Sequence, residues 1–472
     1  MDPAFRDNVM EDLRGVVRGE LLFDGLSRAL YATDASLFEA EPLGVVVPRD
    51  EEDAQALVRY AAEHGVALVP RGGGTGLAGA ALGTGLVVDL SVAFTRIHPP
   101  EGDTVRAGAG VPLHALQAAL AREGRRFVPE PATTQATVGG MVATNASSAR
   151  ALRHGTTRDH LASVRIILDT GEAADVGKLP RWPGEGVQGR LDDIVSSVST
   201  LLEQNAPLLE ACRPRVPFDR VGYAVHGALT AHSLDVARLV AGSEGTLGLV
   251  TEATLRTQPL AGGRAVALLA FARIDAALRA ARLALSTAPT ACELLDRRLL
   301  RLARGEAPDL VPEGAEAALL VEYEADGPKQ AAGMATSLID WLQRGERLAI
   351  WSRPALGEGE CDRAWDLPRA GLRAMSALRG VAQPVPIVED VAVPPEELPA
   401  LLPRLQDALR RQEAAAAFLI HAGTGQVQIL PFLDLKEPRD AEKLWTLADE
   451  LYPLVLDMGG TISSMHGTGL AR

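Results

Sequence analysis

Cysteine is scarce: the 472 residues hold three, Cys212, Cys292 and Cys361, each far from the next. That excludes a disulfide framework, a Cys-rich zinc site and a self-contained iron–sulfur cluster, which needs about four thiolates. It fits a reducing compartment, so a cytoplasmic protein is expected. Positive charge is also short: the formal net charge is −14, which argues against a nucleic-acid-binding surface. No apolar run approaches the roughly 18 residues of a membrane-spanning helix. The opening MDPAFRDNVMEDLRG has no apolar stretch behind a basic start, so it does not read as a signal peptide. At most a peripheral membrane association is left open. Apolar residues make up 47%, enough for a sizeable core, and the length suits two or three domains.

Several elements can be read directly. Val45–Val47 is a short strand, and Asp50 can cap a helix whose apolar face is Ala54, Leu57, Val58 and Ala61. Gly65 ends that helix, and a second strand runs over Val66–Val69. Further strands are expected at GLVVDL, TVRAGAG and VRIILDTGE, and a helix at PLHALQAALAREG. From Ala173 to about Ser233 the pattern weakens into an insertion with one or two helices. After Pro259 strands such as AVALLAFA, AALLVEYEA, PIVEDVAVP, AAFLIHAG and QVQILPFLD alternate with amphipathic helices. That texture predicts an α+β domain with helices on one face of an antiparallel sheet.

Glycine, by contrast, is concentrated. RGGGTGLAG, from Arg71 to Gly79, contains a letter-perfect G-x-G-x-x-G. A nicotinamide fingerprint needs a helix after the loop and an acidic residue about 20 positions on. Here six small residues lead straight into the next strand, so that reading fails on context, and no Gly-Lys-Ser/Thr supports a P-loop. What remains is a strand-to-strand loop: either a tight turn, or a nest whose convergent N–H groups take phosphate oxygens. Two more small-residue loops, TVGGMVATNASS and SEGTLG, favour a long ligand with a phosphate-bearing middle.

The stretches PRGGGTGLAGAAL, PATTQATVGGMVATNASSARALRHGTTRDH and AGSEGTLGLVTEATL resemble, in order and spacing, the signature loops of the FAD-linked oxidase family with a PCMH-type FAD domain. The similarity is strongest to the branch that holds the D-type subunit of glycolate oxidase and the D-lactate and D-2-hydroxyglutarate dehydrogenases, including members fused to an iron–sulfur domain. It implies a two-part FAD-binding domain over residues 38–259 and a ferredoxin-like α+β substrate (cap) domain with an antiparallel sheet over 260–472. By motif, Arg71, Gly72, Gly73, Gly74, Thr75, Gly76 and Leu77 would hold the FAD pyrophosphate. Pro131, Thr133, Thr137, Gly139, Gly140, Thr144, Asn145, Ser147 and Ser148 would line the flavin and its ribityl chain. Gly155 and Asp159 belong to the same motif, and Glu244, Gly245 and Val250 would complete the adenine and pyrophosphate side.

The same resemblance implies hydride transfer from C2 of a D-2-hydroxy acid of lactate, glycolate or 2-hydroxyglutarate type to FAD. A base would take the hydroxyl proton, a basic residue would hold the carboxylate, and a divalent metal would sit near the hydroxyl. Glu389 and Asp390 match the family's E-D-x-x-V-P strand, His421 its histidine hairpin, and His466 its final G-E-H-G loop. These four are the expected catalytic residues, with His466 as base or hydroxyl ligand and His421 orienting substrate. Three positions depart: the hairpin's second histidine is Gln428, the glutamate before His466 is Met465, and an expected arginine falls on Pro368. Glutamine and methionine are poor replacements, so no metal ligand is assigned. The alternative is a flavin-binding electron-transfer or assembly subunit with a decayed substrate site. The sequence stops at Arg472, before the returning helix and cysteine clusters of the fused branch. The expectation is therefore a truncated C-terminal domain, either because the chain is a fragment of a longer product or because the electron-accepting half is a separate polypeptide, with an iron–sulfur or other redox protein or domain as acceptor.

Overall fold

The computed structural model describes residues 3–182, 189–217, 221–386 and 388–472. Parts of the expected insertion (183–188 and 218–220), and Ile387 of the PIVEDVAVP stretch, lie outside the described residues. After a helix at Pro3–Arg14 comes a small sheet of strands β1 (Glu20–Leu22), β2 (Gly44–Val47), β3 (Leu68–Arg71) and β4 (Leu86–Asp89), in the order β1-β2-β4-β3. Helix α1 (Glu51–His64) crosses between β2 and β3, and both strands pair with β4 in parallel. Its ends follow from local chemistry. The Asp50 side chain accepts from the Asp53 N–H, a cap contributing about 1 kcal/mol, and Gly65 closes the helix at φ 65°. Between β3 and β4 there is no helix, as the glycine-loop reading requires.

A second sheet is antiparallel, with strands β5 (Thr104–Gly108), β6 (Leu161–Ile167), β7 (Ala173–Val176) and β8 (Leu249–Arg256) in the order β5-β8-β6-β7. The short helix α2 (Val138–Ala143) packs on β5 and β8. The insertion carries two helices, Arg190–Gln204 and Ala206–Ala211.

From Gly263 onward one large antiparallel sheet dominates. Its elements are β9 (Gly263–Phe271), α3 (Ile274–Leu285), β10 (Ala291–Asp296), α4 (Arg297–Ala303), β11 (Ala317–Ala325), α5 (Pro328–Asp340), β12 (Trp351–Ala355), α6 (Glu358–Ser376), β13 (Gln383–Pro384), β14 (Val391–Ala392), α7 (Leu398–Arg411), β15 (Ala415–His421), β16 (Gln426–Leu433) and α8 (Pro438–Asp457). The strand order is β12-β9-β11-β10-β15-β16-β13, with β14 also on β16. Helices α3, α5, α7 and α8 cover one face through Leu269, Leu294, Leu319, Leu338, Leu405 and Leu451. Helices lie on the other face too: α4 and α6 pack Leu299, Leu300 and Leu367 against Leu268, Leu295 and Leu320. The expected one-sided sheet is thus two-sided. The reason is visible in β9 and β11, whose apolar runs do not alternate and are buried almost throughout. Among the described residues no helix is long and apolar enough to cross a membrane.

Candidate functional site

Strand β3 delivers Arg71 to the start of the glycine loop, and three loops converge there. A side chain at Gly72 would run into the Thr137 hydroxyl, and a Cβ at Gly73 would lie 2.5 Å from the Gln135 carbonyl oxygen. Only glycine lets the first two loops approach this closely. The third joins them through Gly245 (φ 82°), whose Cβ position is 3.0 Å from Pro70, and through N–H bonds from Gly242 to the Val142 carbonyl and from Glu244 to the Ala143 carbonyl, each 2.9 Å. Around Gly76 the space is open to at least 4 Å. Arg71 donates to the Thr33 carbonyl at 3.0 Å and has no carboxylate partner among the described residues. A positive charge beside an open glycine, on a loop held by its two neighbours, suits a phosphate-bearing ligand.

The second loop is shaped by its own hydroxyls. Thr137 caps α2 by accepting from the Gly140 N–H at 3.3 Å, and Thr144 donates to the Gly140 carbonyl at 2.9 Å. Thr133 accepts from the Gln135 N–H, and Ser148 from the Arg150 N–H. Gly139 sits where a Cβ would strike Ala109 of the neighbouring strand. Asn145 is buried at φ 49° and accepts from the Arg158 N–H at 2.8 Å. Among the described residues the buried Ser147 hydroxyl has no partner, an orphan that a ligand group would satisfy. Gly155 and Asp159 form a separate unit: Asp159 accepts from the Thr156 N–H and hydroxyl, and Gly155 leaves room for that carboxylate. Pro131 and Val250 flank these loops, Val250 in register with Ile166.

Across from the loops stands one face of the large sheet. Period-two alternation and the register place Glu293, Glu322, Glu324, His421 and Gln428 on that face. Cations from the N-terminal half and from β9 answer them. Glu322, fully buried, accepts from Arg150 Nε (2.9 Å), Arg264 Nε (2.9 Å) and Trp365 Nε1 (3.1 Å). Glu324 takes both terminal nitrogens of Arg126 (2.7 and 2.6 Å) and lies 2.9 Å from His154 Nε2. Burial alone would raise the Glu324 carboxyl, but Arg126 and His154 hold it well below the usual range. His154 thus ties the segment after the second loop to the sheet face. At the end of β15, His421 Nδ1 lies 2.6 Å from Glu293 Oε2, and its Nε2 lies 3.1 Å from the Gln428 side-chain nitrogen.

The third component is the loop at residues 463–468. Asp390 is fully buried, and its carboxylate gathers the N–H groups of Ser464, Met465 and His466 together with the Ser463, Ser464 and Gln426 side chains. It holds the loop and has little left for a substrate. Glu389 beside it accepts from His466 Nδ1 at 2.6 Å and from Arg472 Nη2 at 2.8 Å. Burial disfavours both charges of this pair, yet their mutual attraction wins. His466 is pushed up to about 9 by Glu389 and Asp390, and Glu389 down to about 2 by His466 and Arg472. Finally Glu244 accepts from the Thr468 N–H at 3.0 Å and from its hydroxyl, so its carboxylate serves the 463–468 loop.

The residues expected from sequence therefore fall into two groups, loops around Arg71–Leu77 and a cluster of Glu389, Asp390 and His466, with His421 on the sheet face. Sequence reasoning missed Glu293, Glu322, Glu324, Arg150 and Arg472. The only signal was the acidic residues set inside apolar strands (ACELLD, LLVEYEA), a buried-charge pattern that asks for partners. Pro368 lies inside helix α6, buried among its apolar residues. Among the described residues no three His, Cys, Asp or Glu side chains are grouped to hold a metal ion.

Comparison with known proteins agrees with this architecture. The FAD binding domain family matches residues 42–177, and the C-terminal domain family of FAD linked oxidases matches residues 262–472. The chain is 29% identical to a D-2-hydroxyglutarate dehydrogenase of Pantoea ananatis over 94% of its own length and 46% of the relative's. It is 26% identical to the glycolate oxidase subunit GlcD of Bacillus subtilis (94% and 84%) and 28% to a D-lactate dehydrogenase of Archaeoglobus fulgidus (92% and 84%). It spans about half the length of the D-2-hydroxyglutarate dehydrogenases it matches. Two solved structures share the fold: an alkyldihydroxyacetonephosphate synthase (TM-score 0.65, 17% identity, 96% of this chain and 80% of that one) and a 4-ethylphenol oxidase from Gulosibacter chungangensis (0.66, 14%, 99% and 90%). The open glycine loop, the Arg71 charge without a carboxylate partner among the described residues and the Ser147 hydroxyl fit FAD, and the chain pairs an FAD binding domain with the C-terminal domain of FAD linked oxidases in a PCMH-type fold.

Proposed function

We propose that the protein is an FAD-dependent dehydrogenase of D-2-hydroxy acids of the lactate, glycolate or 2-hydroxyglutarate type, with residues 38–259 holding the cofactor and 260–472 the substrate. The observation that carries the reading is His466, whose Nδ1 is fixed 2.6 Å from buried Glu389 on a loop that Asp390 and Glu244 pin from opposite sides. With Nδ1 engaged, Nε2 is the atom free to take the proton of a substrate hydroxyl. FAD in the loops supplies the two-electron acceptor. Glu389 stabilises the imidazolium that proton transfer creates, and Asp390 is a positioning residue rather than a proton carrier. Arg71–Leu77, Thr137–Gly140 and Gly245 would seat the pyrophosphate, and Ser147 would donate to or accept from the flavin side. The curated relatives named as dehydrogenases or as a glycolate oxidase subunit support this reading. The sparse cysteines call for an external electron acceptor, for which an iron–sulfur protein is the proposed class, in a reducing cytoplasmic setting.

The test is anaerobic addition of D-lactate, glycolate and D-2-hydroxyglutarate to the FAD-loaded protein. Bleaching of the flavin by one of them is expected. A yellow protein that none reduces would favour the second reading, an electron-transfer or assembly subunit. Gln428 and Met465 are the observations behind that alternative.

A further inference from the structure

We infer that the hydroxyl end of the substrate site works without a divalent cation, through a chain Glu293–His421–Gln428 in which the Gln428 amide occupies the coordination position of His421. The inference rests on the hydroxy-acid reading above. It concerns what sits where the family pattern implies a metal.

A histidine ligand needs a free lone pair aimed at the metal. In His421 neither ring nitrogen is open to a cation. Nδ1 lies 2.6 Å from the oxygen of Glu293, a residue only 2% exposed. That contact has an ion-pair distance but not hydrogen-bond geometry, and Nδ1 is buried, so no room is left for a cation between the ring and Glu293. Nε2 meets the side-chain amide of Gln428 at 3.1 Å. Both orientations of that amide give the same result. With nitrogen toward the ring, its N–H donates into the lone pair; with oxygen toward the ring, Nε2 must carry a proton of its own. Either way Nε2 offers no lone pair to a cation.

The remaining donors do not repair this. Met465 offers a buried thioether, a poor ligand for a hard or borderline cation, and its N–H is bound by Asp390. Glu293 beside His421 is the carboxylate partner that commonly orients a metal-bound histidine, here ending in an amide instead. What the pair presents to a substrate hydroxyl is an amide oxygen and an amide N–H rather than positive charge. Glu293 is accordingly a positioning residue, acting through His421.

The experiment uses the FAD-loaded protein from cells grown with added zinc and manganese. Metal per flavin is measured by elemental mass spectrometry, before and after EDTA. The rate of flavin reduction by whichever D-2-hydroxy acid bleaches it is followed in parallel. Metal far below one per flavin and an EDTA-insensitive rate are expected. One zinc or manganese per flavin, or loss of reduction restored by that metal, would overturn the inference. Gln428→His with Met465→Glu should gain about one cation per flavin, because it returns two of about four ligands; no gain in a folded, yellow variant would also overturn it. Glu293→Gln should slow reduction at saturating acid while leaving flavin content and the Kd of the acid nearly unchanged. An unaltered rate would remove Glu293 from the chain. The metal count stands even if no acid reduces the flavin, so a failed activity and a failed inference are told apart.

Discussion

Glu244 and Thr468 are 224 positions apart in sequence, yet the Glu244 carboxylate accepts the Thr468 backbone N–H at 3.0 Å. Glu244 follows the helix Val236–Val240 and has φ 52°, and its N–H is bound by the end of α2. One side chain thus ties the third cofactor loop to the loop that carries His466. Glu244→Ala would leave two N–H groups and a hydroxyl to find water. The expected cost is about 1–3 kcal/mol of stability. The rate of flavin reduction should fall more than FAD content, as read by thermal melting and by stopped-flow absorbance.

The close approach of the first two cofactor loops makes a sharper prediction. Gly72→Ala drives a methyl into the Thr137 hydroxyl, and Gly73→Ala into the Gln135 carbonyl, which is backbone and cannot swing aside. Gly76→Ala meets no atom within 4 Å of the protein, only the space assigned to the ligand. The first two variants should lose FAD with lowered melting temperature. Gly76→Ala should keep the melting temperature of the cofactor-free protein and weaken FAD binding. Flavin fluorescence titration against unfolding of the apoprotein separates the two cases.

That contrast also explains what was legible in the sequence. The loops were readable because glycine and hydroxyl residues at a strand end carry their own geometry, as Gly72 and Thr137 do. Helix α1 was readable because Asp50 and Gly65 mark its ends chemically. The C-terminal sheet was readable as strands, but its second helical face was not, because a continuous apolar run such as AVALLAF does not say what covers it. Glu293, Glu322 and Glu324 stayed hidden for a related reason. An acidic residue in a strand announces a partner without naming it, and those partners come from residues 43 to 198 positions away. Likewise Asp390 read as catalytic from its motif, whereas its carboxylate is enclosed by a loop more than 70 residues later.

Glu322 gives a test of that hidden layer. It is fully buried between Arg150 and Arg264, and Trp365 Nε1 points at it. Arg150 also pairs with Glu130, and Arg264 with Glu358 and Asp362, so each cation keeps at least one partner if Glu322 is neutralised. Glu322→Gln should therefore cost about 3 kcal/mol, the low end for breaking a buried pair. Because Arg150 comes from the cofactor loops and Glu322 from the sheet, the loss should appear as one lowered melting transition with faster release of FAD. An unchanged melting temperature would mean that water already screens the cluster.

His466 sets the pH behaviour. Its imidazolium is favoured by Glu389 and Asp390 against the opposing effect of burial, and is held up to about 9. A group raised above its unfolded value near 6.5 stabilises the fold fully below that pH and loses the contribution as pH rises through about 9. Acting as a base demands the neutral form, so activity should run opposite to stability. Flavin reduction at limiting D-2-hydroxy acid should climb about tenfold per pH unit below the pKa and level off near 9, while melting temperature declines over the same interval. Glu389→Gln removes the main attraction for the proton, so the inflection should move toward neutral pH. The plateau rate should drop as well, because the imidazolium formed by proton transfer is no longer stabilised. A pH-independent reduction rate between 6 and about 9 would exclude His466 as the base while leaving the cofactor assignment intact.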